Sequence, residues 1–480
     1  MTWETVIGIE VHAQLTTHSK LFSSAATLYG AQANSQTSYI DAGLPGVLPV
    51  LNQNAVRMAI QFGLAVGATI NDSSFFERKN YFYPDLPKGY QISQFQRPIV
   101  SHGHLAITTR HNQDKIITIE RAHLEEDAGK SLHDAHPLYT GIDLNRAGTP
   151  LLEIVTTPCM SSAEEAICYL KTLHQLLRFI GICDGNMQEG SFRCDINLSL
   201  KPHGREQLGT RTELKNLNSF RFIEKAIAYE QRRHQDLLET GQQVIQQTRL
   251  YCPETDTTIS MRDKENENDY RYFPDPDLLP IRITTDELAA IKANLPPLPT
   301  VIKQRLLTVD MLLDDDIDFL LTSTSIIQFY DNVKNHTHAT PKIIVNWLKG
   351  SYTAAINDKG LSFENPPISS ERLGCLLNRL TDNIISSNIA KLIFVKLMSS
   401  QASVDEIIAS EGYQQINDNT LLDDLIRTTI EHYPQQAADY RAGKEKLLAF
   451  FVGQIMKQTK GQGNPEQINK LLREYLSLNR

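Results

Sequence analysis

The chain has 480 residues, 41% of them hydrophobic and 21% charged, with a formal net charge of −9. This length exceeds one ordinary core and implies about two to four domains. The acidic balance argues against a surface made to coat duplex DNA, and no apolar run is long enough to cross a bilayer.

In chain order, residues 3–15 alternate: Trp3, Ile7, Ile9, Val11, Ala13 and Leu15 fall on one face, and Glu4, Glu10, His12 and Gln14 on the other. This is the pattern of a half-buried strand. No basic segment followed by an apolar one opens the chain, so no export signal is expected and a cytoplasmic location is the default. A helix is expected over 53–66, stopping near Gly67. The segment ERKNYFYPDLPKGYQISQ (77–94) sets Arg78, Lys79 and Lys88 among Tyr81, Phe82, Tyr83 and Tyr90. Such cations neutralise phosphates and such rings stack bases, although a stiffened surface loop fits the composition too.

Residues 115–125 form a second alternating strand, with Arg121, His123 and Glu125 sharing a face, and it runs into HLEEDAGKS (123–131). The adjacent acids Glu125, Glu126 and Asp127 repel unless a cation sits among them, and Lys130 is one within reach. The segment DLNRAGTPLLEIVTTP (143–158) adds Arg146 and Glu153. A helix is expected over 162–180, opened by the capping spacing of Ser162 and Glu165. Residues 191–200 alternate again, with Phe192, Cys194, Ile196 and Leu198 opposite Arg193, Asp195 and Asn197; a helix over 219–240 ends at Gly241.

Strands with one polar face fit a largely antiparallel sheet. PDPDLLP (274–280) and NLPPLP (294–299) mark a boundary, beyond which residues 300–480 are rich in helical patterns, with a second break near 398–403. The expected architecture is α+β: a largely antiparallel catalytic body over 1–293, a helical middle over 294–402 and a small helical tail over 403–480. The tail carries Arg441, Lys444, Lys446, Lys457, Lys460, Lys470, Arg473 and Arg480, a basic patch or an ordinary solvated helix face.

Side chains two apart on a strand share a face, with Cα atoms about 6.5–7 Å apart. Glu10 and His12 therefore converge on one ion, which Glu125, Glu153 and Asp195 reach from other strands. An oxygen-rich site suits Mg²⁺ or Ca²⁺, and a histidine among the ligands leans toward Mg²⁺ or Mn²⁺. The same alternation also fits a solvent-facing strand. No GxxxxGK[ST] is present, and Cys159, Cys168, Cys183, Cys194, Cys252 and Cys375 form no CxxC pair. Ser191 and Ser219 lack an evident activating base, so covalent catalysis is not expected.

The segments WETVIGIEVHAQL, YPDLPKGYQISQ, HLEEDAGKS, DLNRAGTPLLEIVTTP, GNMQEGSFRCDINLSL, ELKNLNSFRFIEKAIAYE and PDPDLLP, in that order over about residues 3–290, resemble the B-subunit family of the tRNA-dependent amidotransferase. GKEKLLAFFVGQIMKQTKGQGNPEQINKLL looks like the helical C-terminal domain of that family. The resemblance implies a body similar to the glutamine synthetase/guanido kinase fold and a tail that holds tRNA. It implies ATP and Mg²⁺, transfer of a phosphoryl group to the side-chain carboxylate of Glu-tRNA(Gln) or Asp-tRNA(Asn), and amidation with ammonia. A glutaminase A subunit and a small C subunit are the implied partners. By resemblance Glu10, His12 and Glu125 are metal ligands. Glu125, Glu153 and Asp195 are the catalytic carboxylates, and Lys79, Lys88 and Arg146 contact phosphate or carboxylate. A tRNA-binding scaffold with a dead site is the alternative, although all three ligand positions are retained. Many members carry a zinc centre of paired cysteines near the N-terminus; here Ser23, Ala25, Ser38 and Asp41 occupy those positions, so no zinc is expected.

Overall fold

In the computed structural model the alternating N-terminal stretch is strand β1 (Trp3–Gln14), and Ile7, Ile9, Val11 and Ala13 are at most 1% exposed on its inner face. Burying such side chains stabilises by about 1.5–3 kcal/mol each, and a one-residue slip would turn them all to the other face. The register is thereby set, and with it the face that carries Glu10 and His12. The structure describes residues 2–136, 138–263, 267–413, 419–459, 463 and 465–477. They divide into two units, Met1–Val301 and Ile302–Arg480.

The first unit continues with α1 (Gln53–Ala65), β2 (Thr69–Ile70), β3 (Ser73–Ser74), β4 (Glu77–Asn80), β5 (Tyr90–Ser93), β6 (Val100–Thr108) and β7 (Asp114–Glu126). Next come β8 (Lys130–His136), β9 (Tyr139–Asp143), β10 (Pro150–Thr156), α2 (Ala163–Phe179), β11 (Phe192–Pro202), β12 (Thr212–Lys215) and α3 (Phe220–Glu239). The unit closes with β13 (Gln247–Cys252), β14 (Thr257–Asp263), β15 (Phe273–Pro274), β16 (Ile281–Arg282) and α4 (Thr285–Ala293). The main sheet has nine strands in the order β14-β13-β12-β11-β1-β10-β7-β6-β2. It is antiparallel except where β12 meets β13. The fold is thus α+β with an antiparallel-dominated sheet, followed by helices.

Apolar residues of α1, α2 and α3, among them Phe62, Leu173 and Ile227, join those of β1, β7, β10 and β11 in one core. The capping residues act as their types suggest. Asn52, Ser162 and Ser219 each accept a backbone N–H at the start of α1, α2 and α3. Gly181 and Gly241 take the left-handed conformation just past α2 and α3.

Of the two proline-rich stretches, 274–280 lies inside the first unit and 294–299 just before its limit at Val301. Phe273–Pro274 pairs with β4 at the edge of a three-stranded sheet β15-β4-β5, where a missing N–H does no harm. Arg78 binds Asp275 and Asp277 at 2.9 and 3.0 Å, fastening the stretch to β4.

The regular elements of the second unit are helices in its described residues, with isolated bridges at Ser362, Asn365 and Gly463. Val404–Glu411, which the expected division places in the tail, packs on Ser370–Thr381 and Ser387–Leu397, and Arg372 donates to the carbonyls of Ser400 and Ala402. A separate core holds Leu422, Ile426, Phe451, Ile455, Ile468 and Leu472. Lys460 and Arg480 of the basic tail lie outside the described residues. No helix among the described residues is long and apolar enough to cross a membrane.

A buried ionic knot ties α3 to the sheet. Glu230, whose side chain is 0% exposed, meets Arg233 and Arg249 at 2.9 Å and His234 at 3.3 Å. Burial opposes its charge, but hydrogen bonds from His234, Arg233 and Thr258 hold its carboxyl down at about 2. A depressed carboxyl stabilises above its unfolded pKa, and the gain is lost as pH falls through the folded value. A gap of about 2.5 units corresponds to about 3 kcal/mol. Glu230→Gln is therefore expected to lower the stability of the first unit by about that amount at neutral pH. The deficit should shrink as pH drops from about 4.5 toward 2. Denaturant titrations at both ends of the range measure it, and a deficit independent of pH would contradict the assignment.

Candidate active site

The face of the sheet turned away from α1, α2 and α3 gathers the polar side chains. In the cross-strand register His12 stands opposite Glu153 of β10 and Arg193 of β11, while Glu10 stands opposite Asp195 of β11. Glu153 in turn faces His123 of β7, and Leu151 faces Glu125. Together with the small sheet they line a cavity of about 780 Å³. Its wall includes Glu10, His12, Glu125, Glu153 and Asp195, with Lys79, Arg211, Glu213 and Lys215.

Ligand atoms fall into two groups, each with its members within 4.8 Å of one another: His12, Glu125 and Glu153 in one, and Glu10, Asp195 and Glu213 in the other. The five expected acid and imidazole residues therefore share one cavity, but Glu10 groups with Asp195 instead of His12. In the first group His12 Nε2 lies 3.6 Å from Glu125 Oε1 and 3.4 Å from Glu153 Oε2. Burial opposes charge on His12, yet Glu153, Glu125 and Asp195 raise it to about 9. Burial and the charge of Glu153 push the Glu125 carboxyl up. Glu153 goes the other way: against its burial, His123 and His12 hold it well below the usual range. His12 and Lys79 offset the Glu125 charge only in part. One imidazole and two carboxylates at this spacing fit Mg²⁺ or Mn²⁺.

Lys79 reaches the cavity from β4, 4.9 Å above the ring of Tyr270. Burial opposes its charge, and Tyr272, Glu125 and Glu153 more than offset that and raise its pKa. Beside it Phe95 and Tyr272 stack with ring centroids 4.4 Å apart. Alternation sends Arg78 to the other side of β4, away from the cavity and onto Asp275.

Lys88 and Arg146 do not line this cavity. Lys88 pairs with Glu126, whose Oε1 also accepts from Ile92 N at 2.9 Å. Arg146 donates to the carbonyls of Ala128 and Gly129 at 2.9 and 2.6 Å, holding the turn after β7. Asp127 accepts from Gln14 at 2.9 Å and Arg193 at 2.7 Å; burial opposes its charge, but Arg193 and Arg146 hold it below the usual range. The three adjacent acids thus part ways, and the cations facing the last two are Lys88, Arg193 and Arg146, while Lys130 is exposed.

Ser23 and Ser38 meet at the carboxylate of Asp41, whose Oδ2 lies 2.9 Å from the ammonium of Lys20; that side chain is 0% exposed, and its ammonium is 3.1 Å from the Leu144 carbonyl. Ser23 Oγ donates to Asp41, and Ser38 N donates to Asp41 Oδ2 at 2.8 Å. Burial lowers the Lys20 pKa despite Asp41.

Sequence reasoning missed Arg211, Glu213, Lys215, Tyr270 and Tyr272. The one signal was the alternation of Arg211, Glu213 and Lys215, the last two on one face of β12 and Arg211 just before it, all three lining the cavity. Lys215 Nζ lies 2.5 Å from Asp195 Oδ2. Burial opposes its charge, and Asp195 and Glu213 raise its pKa.

Comparison with known proteins finds close relatives of the sequence. Residues 5–289 match the GatB/GatE catalytic domain, and residues 328–476 match the GatB domain. A protein of Legionella pneumophila (strain Lens), named as the B subunit of the aspartyl/glutamyl-tRNA(Asn/Gln) amidotransferase, is 65% identical over 476 residues, covering 99% of this chain and 100% of the relative. The protein of the same name from Coxiella burnetii (strain CbuG_Q212) is 52% identical over 477 residues, with 99% and 100% covered.

Proposed function

The chain belongs to the B-subunit family of the aspartyl/glutamyl-tRNA(Asn/Gln) amidotransferase, and from that premise we propose that it activates the side-chain carboxylate of Glu-tRNA(Gln), Asp-tRNA(Asn) or both with ATP. The γ-phosphoryl group passes to a carboxylate oxygen and leaves ADP. Ammonia then attacks the acyl carbon, phosphate departs, and glutamine or asparagine remains esterified to the tRNA. A glutaminase A subunit supplies the ammonia and a small C subunit joins the two. The reading includes a cytoplasmic setting and a body similar to the glutamine synthetase/guanido kinase fold.

The observation that carries the reading is the group of His12, Glu125 and Glu153 at metal-ligand spacing in one cavity with Lys79. Phosphoryl transfer needs positioning and charge neutralisation more than a nucleophilic side chain. A divalent ion at the His12 group, Mg²⁺ in this reading, would neutralise charge on the transferred group. Lys79, kept charged by the carboxylates around it, is placed to meet phosphate oxygens, and the Phe95–Tyr272 stack offers a flat face to a base. Asp195 is the third catalytic carboxylate of the reading. Lys88 and Arg146 act by holding Glu126 and the turn after β7 in place. We take the Lys20–Asp41 pair to replace a zinc centre, so that zinc has no role.

The last four helices, with their own core, are the proposed grip on tRNA. Glu125→Gln should abolish ATP-dependent amidation in the assembled complex while leaving glutamine hydrolysis mostly intact; equal loss of both would refute the division of labour. Removal of residues 419–480 should weaken tRNA binding more than tenfold (about 1.4 kcal/mol or more) and leave complex assembly unchanged. Undiminished tRNA affinity would rule the tail out as the grip.

A further inference from the structure

Phe95 supplies one ring of the stack in the cavity wall, and it stands just past the end of a strand. β5 stops at Ser93, so the N–H groups of Phe95 and Gln96 have no ladder to join. A side chain takes them instead. Glu77 of β4 is 0% exposed, and its Oε2 accepts from Phe95 N at 2.9 Å and from Gln96 N at 2.8 Å. Among the described residues the Glu77 side chain makes these two bonds and no ion pair, and its Oε1 is buried without a partner. Burying a carboxyl group costs free energy that an apolar side chain in its place would not. What the carboxyl provides in return is the hold on this turn. The turn is tied on its other side as well: buried Gln94 accepts from Leu124 N at 3.0 Å and donates to Ser74 Oγ at 2.7 Å, and Ser93 Oγ donates to Glu125 Oε2 at 3.4 Å.

We propose that Glu77 is a positioning residue: by holding the turn after β5 it keeps Phe95 flat against Tyr272, and so sets how tightly the cavity grips the base of its nucleotide. The proposal rests on the reading above in which this stack meets the base. The two rings lie 10° from parallel with centroids 4.4 Å apart. They come from segments far apart in the chain, Phe95 from the turn and Tyr272 from the residues before β15, so neither strand ladder fixes both. Glu77 does, because it stands between them: in the small sheet it pairs with Ser93 of β5 on one side and with Pro274 of β15 on the other. A flat ring surface that is already in place when the ligand arrives spares the free energy of ordering it. Through Ser93 the same turn also touches Glu125, so the stacking face is held at a fixed place relative to the His12 group.

Calorimetric titration of the full-length chain with ATP and, separately, with inorganic tripolyphosphate tests this, since the second ligand offers phosphates and no base. The wild-type chain should prefer ATP, and Phe95→Ala should lose most of that preference. Glu77→Leu should weaken ATP about tenfold, or about 1.4 kcal/mol, and leave tripolyphosphate within about twofold. Glu77→Gln, whose carbonyl oxygen still accepts both N–H groups, should restore the preference. Gln96→Pro, at an exposed position, deletes one of the two donors and should weaken ATP alone; it decides the matter if Glu77→Leu does not fold. Equal weakening of both ligands, or an undiminished preference for ATP in a folded Glu77→Leu chain, would overturn the positioning role and leave the nucleotide reading standing. A wild-type chain that binds ATP no better than tripolyphosphate, or a Phe95→Ala chain that keeps the preference, would overturn the base-stacking reading and this proposal with it.

Discussion

Five consecutive strands of the main sheet, β12, β11, β1, β10 and β7, each place one carboxylate on the same face: Glu213, Asp195, Glu10, Glu153 and Glu125. Like charges on neighbouring strands destabilise a sheet. The arrangement persists because the opposite face is a continuous apolar core against three helices, and that core fixes the register. The same pairing that buries Ile9 and Val11 therefore forces the acids together. Everything else at the site answers that crowding. Lys215, Asn197 and Thr248 settle one side, while His12, His123 and Lys79 partly settle the other. The cavity chemistry follows from the charge left over beside Glu125, whose carboxyl burial and Glu153 push upward.

Much of this was legible in the residues. Strict alternation in β1, β7 and β11 assigned Glu10, His12, Glu125 and Asp195 to one face, because a half-buried strand repeats every two residues. The limits of the second helix followed from Ser162 and Glu165, and Gly241 marked the end of the third, whereas the caps Asn52 and Ser219 emerged only in the structure. Which acids meet was not legible, since it depends on cross-strand register. His12 is level with Glu153 and Glu10 with Asp195, and a single sequence does not state that pairing. Short elements failed for a related reason. The four residues of β12 are too few for alternation to declare itself, so Glu213 and Lys215 went unnoticed. Lys88 and Arg146 share segments with site residues, but they face Glu126 and main-chain carbonyls.

The proline-rich stretch near 274 illustrates a different limit. Proline density signals an interruption of regular structure, yet an interruption is not always a boundary. Here Phe273 and Pro274 form an edge strand on β4, and Tyr270 and Tyr272 just before it become cavity wall. Elsewhere in the first unit the Lys20–Asp41 pair shows a fully buried ammonium acting as a cross-link between the segment after β1 and Leu144. In both places a charge removed from water is matched by a fixed partner. In the His12 group the match falls short at Glu125, which is why that group carries the functional argument.

The central claim is that the cavity makes an acyl phosphate from ATP and the esterified amino acid before ammonia arrives. Positional isotope exchange tests it most directly. ATP carrying ¹⁸O in the β–γ bridge is incubated with the assembled complex and Glu-tRNA(Gln) or Asp-tRNA(Asn), with no glutamine or ammonia. Reversible phosphoryl transfer frees the β-phosphate of bound ADP to rotate, so the label should scramble into non-bridging positions only when the aminoacyl-tRNA is present. Retention of the label in the bridge, in a preparation that amidates normally once glutamine is added, would contradict the account.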